Sequence, residues 1–367
     1  MADTGQRSLA GEGRVVSVSA LRAFCKEAFL RTGVAPADSE TGADALATTD
    51  AWGVFTHGSK LLQGNLLRLK GGGLRAQARP TIAAEGGAWA IVDGGAGLGM
   101  VTSAYAMQVA IAKARAQGIG YVGVRNGSHF GAAGYYAWLA AREGLIGLSM
   151  ANDIPSVAAP GSRGAITGSN PIAYAVPVDG RRPMLLDMSI ATVAGGKVYA
   201  ARERGEPIPP GWLIDVDGRP TTDPGVYPAH GALTPAAGHK GYGLGLLVET
   251  LAGILSGAEH TWRIRSWMTD GPTGPTLHGG AFLAIDCAAL SEEGQFGGRM
   301  AELVEEIHAA PRADGVERIY VPGEMEWDRY EQAMTDGIVL PSDVLASVAT
   351  AASIVGLDVH RDLLDFS

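Results

Sequence analysis

The chain has 367 residues, of which 46% are hydrophobic and 18% are charged, and its formal net charge is −9. This composition is typical of folded globular proteins and excludes an intrinsically disordered chain. Because the excess charge is negative and Lys and Arg do not cluster, neither nucleic acid nor an anionic membrane surface is an expected partner.

Two further features bear on location and redox chemistry. No apolar segment is long enough to span a bilayer, and residues 1–7 do not begin a secretory signal, so a cytoplasmic protein is expected. The two cysteines, Cys25 and Cys287, lie far apart in the sequence. We therefore expect neither a disulfide framework nor a metal site.

Residues 14–70 have the pattern of helices. One helix is predicted over residues 20–31 and ends at Gly33. Asp38 can cap a second helix that runs towards Asp50.

A histidine followed by glycine lies beyond these helices. His57 precedes Gly58, and a glycine neighbour can leave an imidazole ring open to a cleft. Lys60 lies within one helical turn and can hold a carboxylate as a point charge. His57 is thus a candidate proton donor and Lys60 a candidate substrate-binding residue, although a plain helix turn with a solvated lysine gives the same pattern.

From residue 89 onwards, short apolar strands alternate with helices, which indicates α/β organisation. The glycines in residues 93–99 follow a strand and precede a helix, but their spacing does not form the GxGxxG fingerprint. An ordinary strand-to-helix turn is therefore favoured, and the doubly wound dinucleotide fold is not predicted. Strands are predicted at 89–92, 119–124, 145–150, 172–176, 184–186 and 281–287, and helices at 103–117, 132–142, 240–255, 328–336 and 342–354.

His129 lies between the predicted strand 119–124 and the predicted helix 132–142. Unpaired backbone N–H groups at a helix start attract anions, so a carboxylate or phosphate could dock beside this ring. The residues alone leave two interpretations equally open, a proton-transfer group and a histidine that only caps a turn.

Three other segments place polar groups where ligands often bind. Residues 152–171 have no helical or strand period and are predicted to form a long ordered loop. Asp187 ends an apolar strand, where it can bind ribose hydroxyls or cap the next segment. Lys240 stands at the glycine-rich start of helix 240–255, where a cation reinforces an anion site, and close helix packing through the glycines is the alternative interpretation. That helix is predicted to carry one apolar face formed by Leu244, Leu247, Val248, Leu251 and Leu255.

Together these segments resemble the malate/L-lactate dehydrogenase family of the non-Rossmann type, over almost the whole chain. The motifs are individually weak, but their number and order make the resemblance specific. This family includes ureidoglycolate and sulfolactate dehydrogenases, diketogulonate reductase and Δ1-piperideine-2-carboxylate reductase. The motifs are residues 57–58, 126–131, 168–171, 186–188, 211–224, 239–243 and 321–324.

The resemblance implies a non-Rossmann NAD(P)-binding α/β fold with helical N- and C-terminal segments, usually as a homodimer. We expect an N-terminal helical segment, 1–75, that packs with C-terminal helices in 322–367, and an α/β core, 76–321, that binds cofactor and substrate. His57 and His129 match positions that act as proton donor or acceptor in different members, and the choice between them stays open. Contacts with NAD or NADP are implied at Asp153, Asp187, Met188, Ser189, Lys240, Pro322, Gly323 and Glu324.

Three positions depart from the pattern of this family. Leu61 stands where many members carry an arginine that would bind a substrate carboxylate with two hydrogen bonds. Lys60 would have to take the place of that arginine, and a lysine selects a planar carboxylate less strictly because it offers a single point of charge. Asp153 stands where many members have serine. Residues 194–197 lack an arginine that is common in relatives.

The expected reaction is hydride transfer between a nicotinamide and the α-carbon of a small 2-oxo or 2-hydroxy carboxylic acid of the malate or lactate type. One alternative is reduction of cyclic or N-alkyl imino acids. Another is a homologue that binds a nucleotide without catalysis, against which the two histidines speak. The sequence predicts neither the natural substrate nor the choice between NAD and NADP.

Overall fold

A computed structural model describes residues 13–292 and 294–366 of the chain. Its largest sheet contains seven strands in mixed orientation. In spatial order they are β2 (Thr81–Glu85), β3 (Trp89–Asp93), β4 (Ile119–Gly127), β13 (His278–Asp286), β5 (Leu145–Ala151), β8 (Ile172–Val176) and β9 (Met184–Met188).

Several of these strands end at one edge of the sheet. β3 is parallel to β4, and β13 is antiparallel to both β4 and β5, so β4 and β5 end where β13 begins. β9 runs in the same direction as β5, because each is antiparallel to β8. We call this edge the carboxyl edge; it is marked by Asp93, Gly127, Ala151, Met188 and, at the start of β13, His278.

Two helices pack against the sheet, α4 (Gly99–Gln117) on β4 and β13, and α5 (Ala133–Arg142) on β5 and β8. α4 begins four residues earlier than the sequence pattern predicts, close to the carboxyl edge. A Cβ added to Gly99 would lie 2.3 Å from the carbonyl oxygen of His129, so only glycine lets α4 approach the His129 segment this closely. The core here includes the fully buried side chains of Met107, Tyr136 and Phe282.

The N- and C-terminal parts of the described chain pack on each other. β1 (Arg14–Val16) pairs with β14 (Ile338–Leu340) in antiparallel orientation. The helices of these parts are α1 (Val18–Leu30), α2 (Pro36–Ala51), α3 (Leu62–Gly71), α10 (Glu324–Asp336), α11 (Ser342–Val355) and α12 (Val359–Asp362). α3 packs on α11, and α2 packs on α10. The helices before and after segment 55–61 are therefore both in contact with the C-terminal part.

The second helix starts at a different residue from the expected cap. α2 begins at Pro36 with Ala35 as N-cap, and Asp38 lies inside the first turn. Proline suits the first helical position because its fixed φ is already helical and its missing N–H would have no partner there. The carboxylate of Asp38 is favourable in that turn through the helix dipole instead of through a cap hydrogen bond.

A smaller sheet has five short strands, in the order β11 (Pro220–Thr221), β10 (Leu213–Asp215), β12 (Gly231–Leu233), β6 (Val157–Ala158) and β7 (Ala165–Thr167). The prediction that 152–171 is only an irregular loop is therefore wrong in part, because it contributes two of these strands. Strands of two or three residues are too short to show an alternating pattern. They are held by a separate apolar cluster that includes Val157, Ile190, Leu213 and Leu233.

The helix predicted over residues 240–255 has two parts, α7 (His239–Val248) and a π-helical continuation, Glu249–Ile254. The predicted apolar face is divided: Leu244, Leu247 and Leu255 are about half exposed, whereas Val248 is buried and Leu251 packs against the same core cluster. The remaining helices are α6 (Gly195–Arg204), α8 (Cys287–Leu290) and α9 (Gln295–Ala309). Within residues 13–292 and 294–366, no helix combines the length and apolar character that a membrane crossing requires.

Candidate active site

Three histidines from distant parts of the sequence meet at the carboxyl edge. The ring centroids of His57 and His129 are 5.7 Å apart, with the ring planes 28° from parallel. The ring of His278 meets that of His129 edge-on, with centroids 6.3 Å apart. The two histidines predicted as proton donor or acceptor therefore lie side by side, and His278 is a third imidazole that the sequence analysis did not single out.

His129 is positioned by the end of β4 and the start of α5. β4 ends at Gly127 and α5 begins at Ala133, so His129 lies in the strand-to-helix turn predicted from the sequence. The indole ring of Trp267 stacks on its imidazole, with centroids 4.0 Å apart. His129 is thus held between an aromatic ring on one side and His57 on another.

His57 is positioned by a carboxylate beneath the turn that carries it. The fully buried Asp50, at the end of α2, accepts a hydrogen bond of 2.8 Å from the backbone N–H of Ser59. A Cβ on Gly58 would lie only 1.9 Å from Oδ1 of Asp50, so the carboxylate rests directly against this glycine. Nδ1 of His57 lies 2.9 Å from the hydroxyl of Thr56, which fixes the ring plane.

His278 is held by two hydrogen bonds. Its Nε2 is 3.0 Å from Oδ1 of Asp153, and its Nδ1 is 2.9 Å from the hydroxyl of Thr276. The side chain is only 3% exposed. Because both ring nitrogens have protein partners, His278 orients Asp153 and is not free to exchange a proton with a substrate.

Burial and mutual proximity keep the catalytic candidates neutral. Burial lowers the pKa of His57, and the Asp153 carboxylate partly opposes this effect. Burial lowers the pKa of His129 to about 3, with a further decrease from His57 and His278 and an opposing increase from Asp153. For Asp153 itself, burial acts to raise the pKa, but the hydrogen bond and charge of His278 prevail and the pKa is lowered. At neutral pH His57 and His129 are therefore uncharged, and they lie beside the ionised carboxylate of Asp153.

A buried arginine holds the segment that covers His129. Nη2 of Arg68 donates to the carbonyl oxygens of Ser266 at 2.7 Å and Asp270 at 3.0 Å, and Nε donates to that of Trp267 at 3.2 Å. The guanidinium is 5% exposed. A small cavity of about 20 Å³ lies between Arg68, His129 and Trp267, and its lining also includes Leu61, Asn65 and Thr276.

Lys60 lies outside this cavity lining. Its Nζ is 2.6 Å from Oδ2 of Asp343, and both side chains are half exposed. The lysine proposed for substrate binding is thus engaged by a carboxylate of α11. Position 61, which is leucine, lines the cavity instead.

Asp187 fills the anion position that the sequence predicts at the start of α5. Its Oδ2 accepts a hydrogen bond of 2.7 Å from the backbone N–H of Gly134. Burial raises the pKa of Asp187 to about 6, although this hydrogen bond opposes the increase. A protein carboxylate, not a ligand, therefore satisfies the helix start in the described chain.

Met188 ends β9, and Oγ of Ser189 accepts a hydrogen bond of 3.2 Å from the backbone N–H of Ala191.

Pro322, Gly323 and Glu324 lie beside the other end of β9. Leu185 donates its backbone N–H to the carbonyl oxygen of Pro322 at 2.9 Å. Gly323 has φ of +95°, and a Cβ there would lie 2.8 Å from the backbone nitrogen of Leu185. This glycine therefore allows residues 321–324 to turn closely over β9.

A groove of about 220 Å³ opens between this turn and α9. Arg318 in its wall pairs with Glu324 at 2.6 Å, and the same carboxylate lies 3.0 Å from Nε2 of His308. We call this the arginine groove; its lining includes Arg181, Arg182, Arg318, Pro322, Glu324 and Trp327.

Lys240 lies in the first turn of α7 and is exposed. That turn is connected to the segment after β9, because the N–H of Ala236 donates to the carbonyl oxygen of Ile190 at 2.9 Å. Asp153 is also close in the fold, since its N–H donates to Asn170 and the N–H of Ile190 donates to the carbonyl oxygen of Ser169. The segments that carry Lys240 and Asp153 are thus both linked by hydrogen bonds to the segment that follows β9.

Four residues of the site were missed by the sequence analysis: Asp50, Arg68, Trp267 and His278. His278 carries the clearest missed signal, because it begins a strand and a polar residue at a strand end often faces a site. The others depend on contacts between distant segments, for which the sequence offers no local pattern.

Comparison with known proteins places this arrangement in a family. Residues 16–349 match the family model of malate/L-lactate dehydrogenases. The chain is 38% identical to malate dehydrogenase of Pyrococcus abyssi, over 92% of this chain and 95% of that protein. It is 32% identical to Delta(1)-pyrroline-2-carboxylate/Delta(1)-piperideine-2-carboxylate reductase of Pseudomonas putida, over 90% of this chain and 94% of that protein.

The fold agrees with this similarity. Sulfolactate dehydrogenase from Methanocaldococcus jannaschii superimposes with a TM-score of 0.87 at 32% identity, over 95% of this chain and 99% of that one. A ureidoglycolate dehydrogenase is also among the relatives. The family match covers β4, β5, β9 and β13, and His129, Asp153, Asp187 and His278 lie at or within two residues of their ends at the carboxyl edge. The chain therefore belongs to the malate/L-lactate dehydrogenase family of oxidoreductases.

Proposed function

We propose that the protein transfers a hydride between a nicotinamide dinucleotide and a small 2-oxo or 2-hydroxy carboxylic acid, with His57 and His129 handling the proton. The observation that carries the proposal is the side-by-side placement of these two imidazoles at the carboxyl edge, 5.7 Å apart. A bound nicotinamide would supply the hydride chemistry, and the protein would supply orientation and the proton.

The residues along β9 fit a dinucleotide. The arginine groove has room and positive side chains for a phosphate-bearing adenosine, and Pro322 and Glu324 line it. β9 leads from this groove to Asp187, which is next to the His129 segment. Five extended residues cover roughly 16 Å, a length suited to an extended dinucleotide. We therefore propose Asp187, Met188, Ser189, Lys240, Pro322, Gly323 and Glu324 as the band that holds NAD or NADP.

The proton step follows from the neutral state of the imidazoles. In oxidation, a neutral ring accepts the hydroxyl proton as the carbon loses its hydride; in reduction, the imidazolium returns that proton to the carbonyl oxygen. His57 and His129 are both placed for this step. Either ring must become protonated while the other stays neutral, because two adjacent positive charges are unfavourable.

The substrate carboxylate requires a positive partner. Lys60 can take this role only by leaving Asp343, to which it is bound at 2.6 Å. An exposed ion pair of this kind is worth at most about 1 kcal/mol, so a substrate carboxylate can displace it. Lys60 is accordingly retained as the proposed substrate-binding residue.

Reduction of cyclic or N-alkyl imino acids is the second candidate function. The similarity to the Pseudomonas putida reductase favours it, since that relative matches over 90% of this chain. Purified protein should be assayed with pyruvate alone and with pyruvate plus methylamine. Oxidation of NAD(P)H that requires the amine would assign the imine reaction.

The main test replaces each histidine. We expect His57→Asn and His129→Asn to lower turnover about 10²-fold or more while cofactor affinity changes little, because general acid–base catalysis contributes that much. Turnover should be measured with a panel of 2-oxo and 2-hydroxy acids, and affinity by NAD(P)H fluorescence. Full turnover in both variants would refute the proposed chemistry. Tight NAD(P)H binding without turnover in the unaltered protein would instead identify a binding protein.

We also propose that the protein is a homodimer. The exposed leucine face of α7 and its π-helical continuation supports this, together with Trp262, which is 65% exposed nearby in the chain. Such an apolar surface on one molecule commonly marks an interface. Leu247→Glu is expected to shift the mass measured by light scattering from dimer to monomer, and an unchanged mass would exclude this face.

A further inference from the structure

We propose that Asp153 is a positioning residue that supplies the negative charge on which the His57 and His129 pair depends to hold its transferred proton. This inference rests on the proposed function and extends it to a residue whose similarity to relatives implied only a cofactor contact. In the structure, the carboxylate of Asp153 points into the histidine cluster and bonds to His278 at 3.0 Å.

Charged and titratable groups face the His57 and His129 pair from several elements. His278 and Asp153 face it from β13 and from the segment after β5. Arg68 lines the same cavity from α3, and Asp50 lies beneath the turn that carries His57. Asp153 is the carboxylate that favours the charged form of both His57 and His129. A neighbouring anion stabilises an imidazolium directly, and this effect is larger in a partly buried site than in bulk water.

The second step is that this carboxylate is fixed in place. Besides His278, the backbone N–H of Ile154 donates to its Oδ1 at 2.8 Å. The backbone N–H of Asp153 donates to the side chain of Asn170 at 3.2 Å, and Asn170 is fully buried and bonded to Glu249 at 2.8 Å. A carboxylate held by such a network does not have to move when a proton reaches the imidazole of His57 or His129.

The third step is the charge balance of the reaction. In oxidation, the α-carbon would give its hydride to the nicotinamide, and the proton of the hydroxyl would move to a ring nitrogen of one histidine, where a new positive charge appears. With Asp153 ionised, the new imidazolium and this carboxylate together have no net charge. Without that carboxylate, the cluster would carry an uncompensated buried charge, which is strongly unfavourable.

The variant Asp153→Asn separates charge from structure. An asparagine Oδ1 can still accept the hydrogen bonds from His278 and Ile154, but it has no charge. The matched control is Asp286→Asn, at the opposite end of the same strand β13, where the carboxylate caps α8 and is 7% exposed. Eight strand residues separate it from His278 by roughly 26 Å, which is beyond the distance at which its charge reaches the histidines.

Two measurements test the proposal. In the pH profile of kcat for reduction, activity falls as the imidazolium loses its proton, and we expect this limb to shift to lower pH by roughly one unit in Asp153→Asn. It should stay in place in Asp286→Asn and return towards its original position in Asp153→Glu. In the ligand-free protein, the ring carbon resonance of His57, assigned with His57→Asn, should report a smaller protonated fraction at pH 5 in Asp153→Asn than in the unaltered protein.

The outcomes are distinct. A uniform loss of kcat with an unmoved pH limb would show that Asp153 is only structural and would overturn the proposal. Weaker NAD(P)H binding with an unmoved limb would overturn it in favour of a cofactor contact. If the unaltered protein turns over no 2-oxo or 2-hydroxy acid, the proposed function fails, and the resonance of His57 still decides whether Asp153 sustains the imidazolium.

Discussion

The histidine cluster, which consists of His57, His129, His278 and Asp153, differs from the arginine groove in how its charges are buried and paired. In the cluster, the ionised carboxylate of Asp153 lies beside His57 and His129, which burial keeps neutral, and partly buried hydrogen bonds fix its position. In the groove, each arginine already has an acidic partner, and the arginine side chains are 40–46% exposed. A charge in the cluster therefore acts strongly on its neighbours, whereas solvent and counter-charges weaken each charge in the groove.

Under the proposed function, the histidine cluster governs the proton transfer and the arginine groove contributes to the affinity for the cofactor. The cluster can shift the proton affinity of a catalytic group by whole pKa units because it is buried and rigid. The groove can add binding energy only in small steps, because every new contact replaces an existing ion pair. The predictions that follow test this contrast, beginning with the buried carboxylate beneath His57.

The pH dependence of stability should expose the buried charge of Asp50. Burial raises the pKa of Asp50 from 3.8 to about 7, although hydrogen bonds from Ser59 oppose the increase. A raised folded-state pKa means that stability is highest below the unfolded value and is lost as pH rises through the folded value. Because one pKa unit corresponds to about 1.4 kcal/mol, ionised Asp50 costs the folded state on the order of 4 kcal/mol at pH 8.

Asp50→Asn should therefore remove most of the loss of stability between pH 4 and pH 8, measured as the free energy of unfolding in urea. Asp187, whose pKa is also raised, contributes in the same direction and is unchanged in the variant. If the free energy of unfolding of the two proteins changed with pH in the same way, the ionisation of Asp50 would not destabilise the folded state.

Gly58→Ala tests how tightly the His57 turn rests on that carboxylate. The added Cβ would overlap Oδ1 of Asp50, which lies 1.9 Å from its position. Overpacking of this kind costs about 1–3 kcal/mol, and turnover should fall because His57 must move. Gly298→Ala is the control, since a Cβ there meets nothing within 4 Å in helix α9 and should stabilise by about 0.5–1 kcal/mol. Equal unfolding free energies for the two variants would contradict the close contact.

Asp50 and His129 also show what the sequence could and could not predict. The ends of β4 and β9, and with them the locations of His129 and Asp187, follow from apolar runs that stop at a polar residue. Asp50 gives no such signal, because its partner is the backbone of Ser59 and the surface of a glycine. A carboxylate in the last turn of a helix is ordinary until that contact is known.

The convergence of His129, Asp153 and His278 was beyond prediction for a different reason. β13 pairs His278 with Gly127 across the sheet, although the two are far apart in sequence. Apolar patterns predict a strand near residue 281 but not its neighbours, so they cannot place its first residue beside β4. The small sheet was missed because its strands are too short to have a period, and Trp267 lies in an irregular segment.

Arg68→Lys tests the clamp over His129. Lysine keeps the positive charge but cannot donate in several directions at once, so most hydrogen bonds to residues 266–274 are lost. We expect a destabilisation of about 2 kcal/mol and faster hydrogen exchange confined to this segment. Arg204→Lys, at an exposed pair with Glu206, should change neither. Unchanged exchange in residues 266–274 would show that Trp267 is held over His129 by other contacts.

The smallest effect is expected in the arginine groove, and it would sharpen the contrast with the cluster. Arg318→Gln removes a half-exposed guanidinium that binds Glu324 at 2.6 Å. If the phosphate-bearing end of the cofactor lies here, the Kd should rise by no more than about fivefold, because an exposed pair contributes at most about 1 kcal/mol. The increase should be larger for NADPH than for NADH and should diminish as salt is added. Arg163→Gln, which breaks an exposed pair with Asp217 in the small sheet, is the matched control. A loss of affinity beyond a hundredfold would mean that this arginine acts as a buried group, and the distinction drawn between the two regions would not hold.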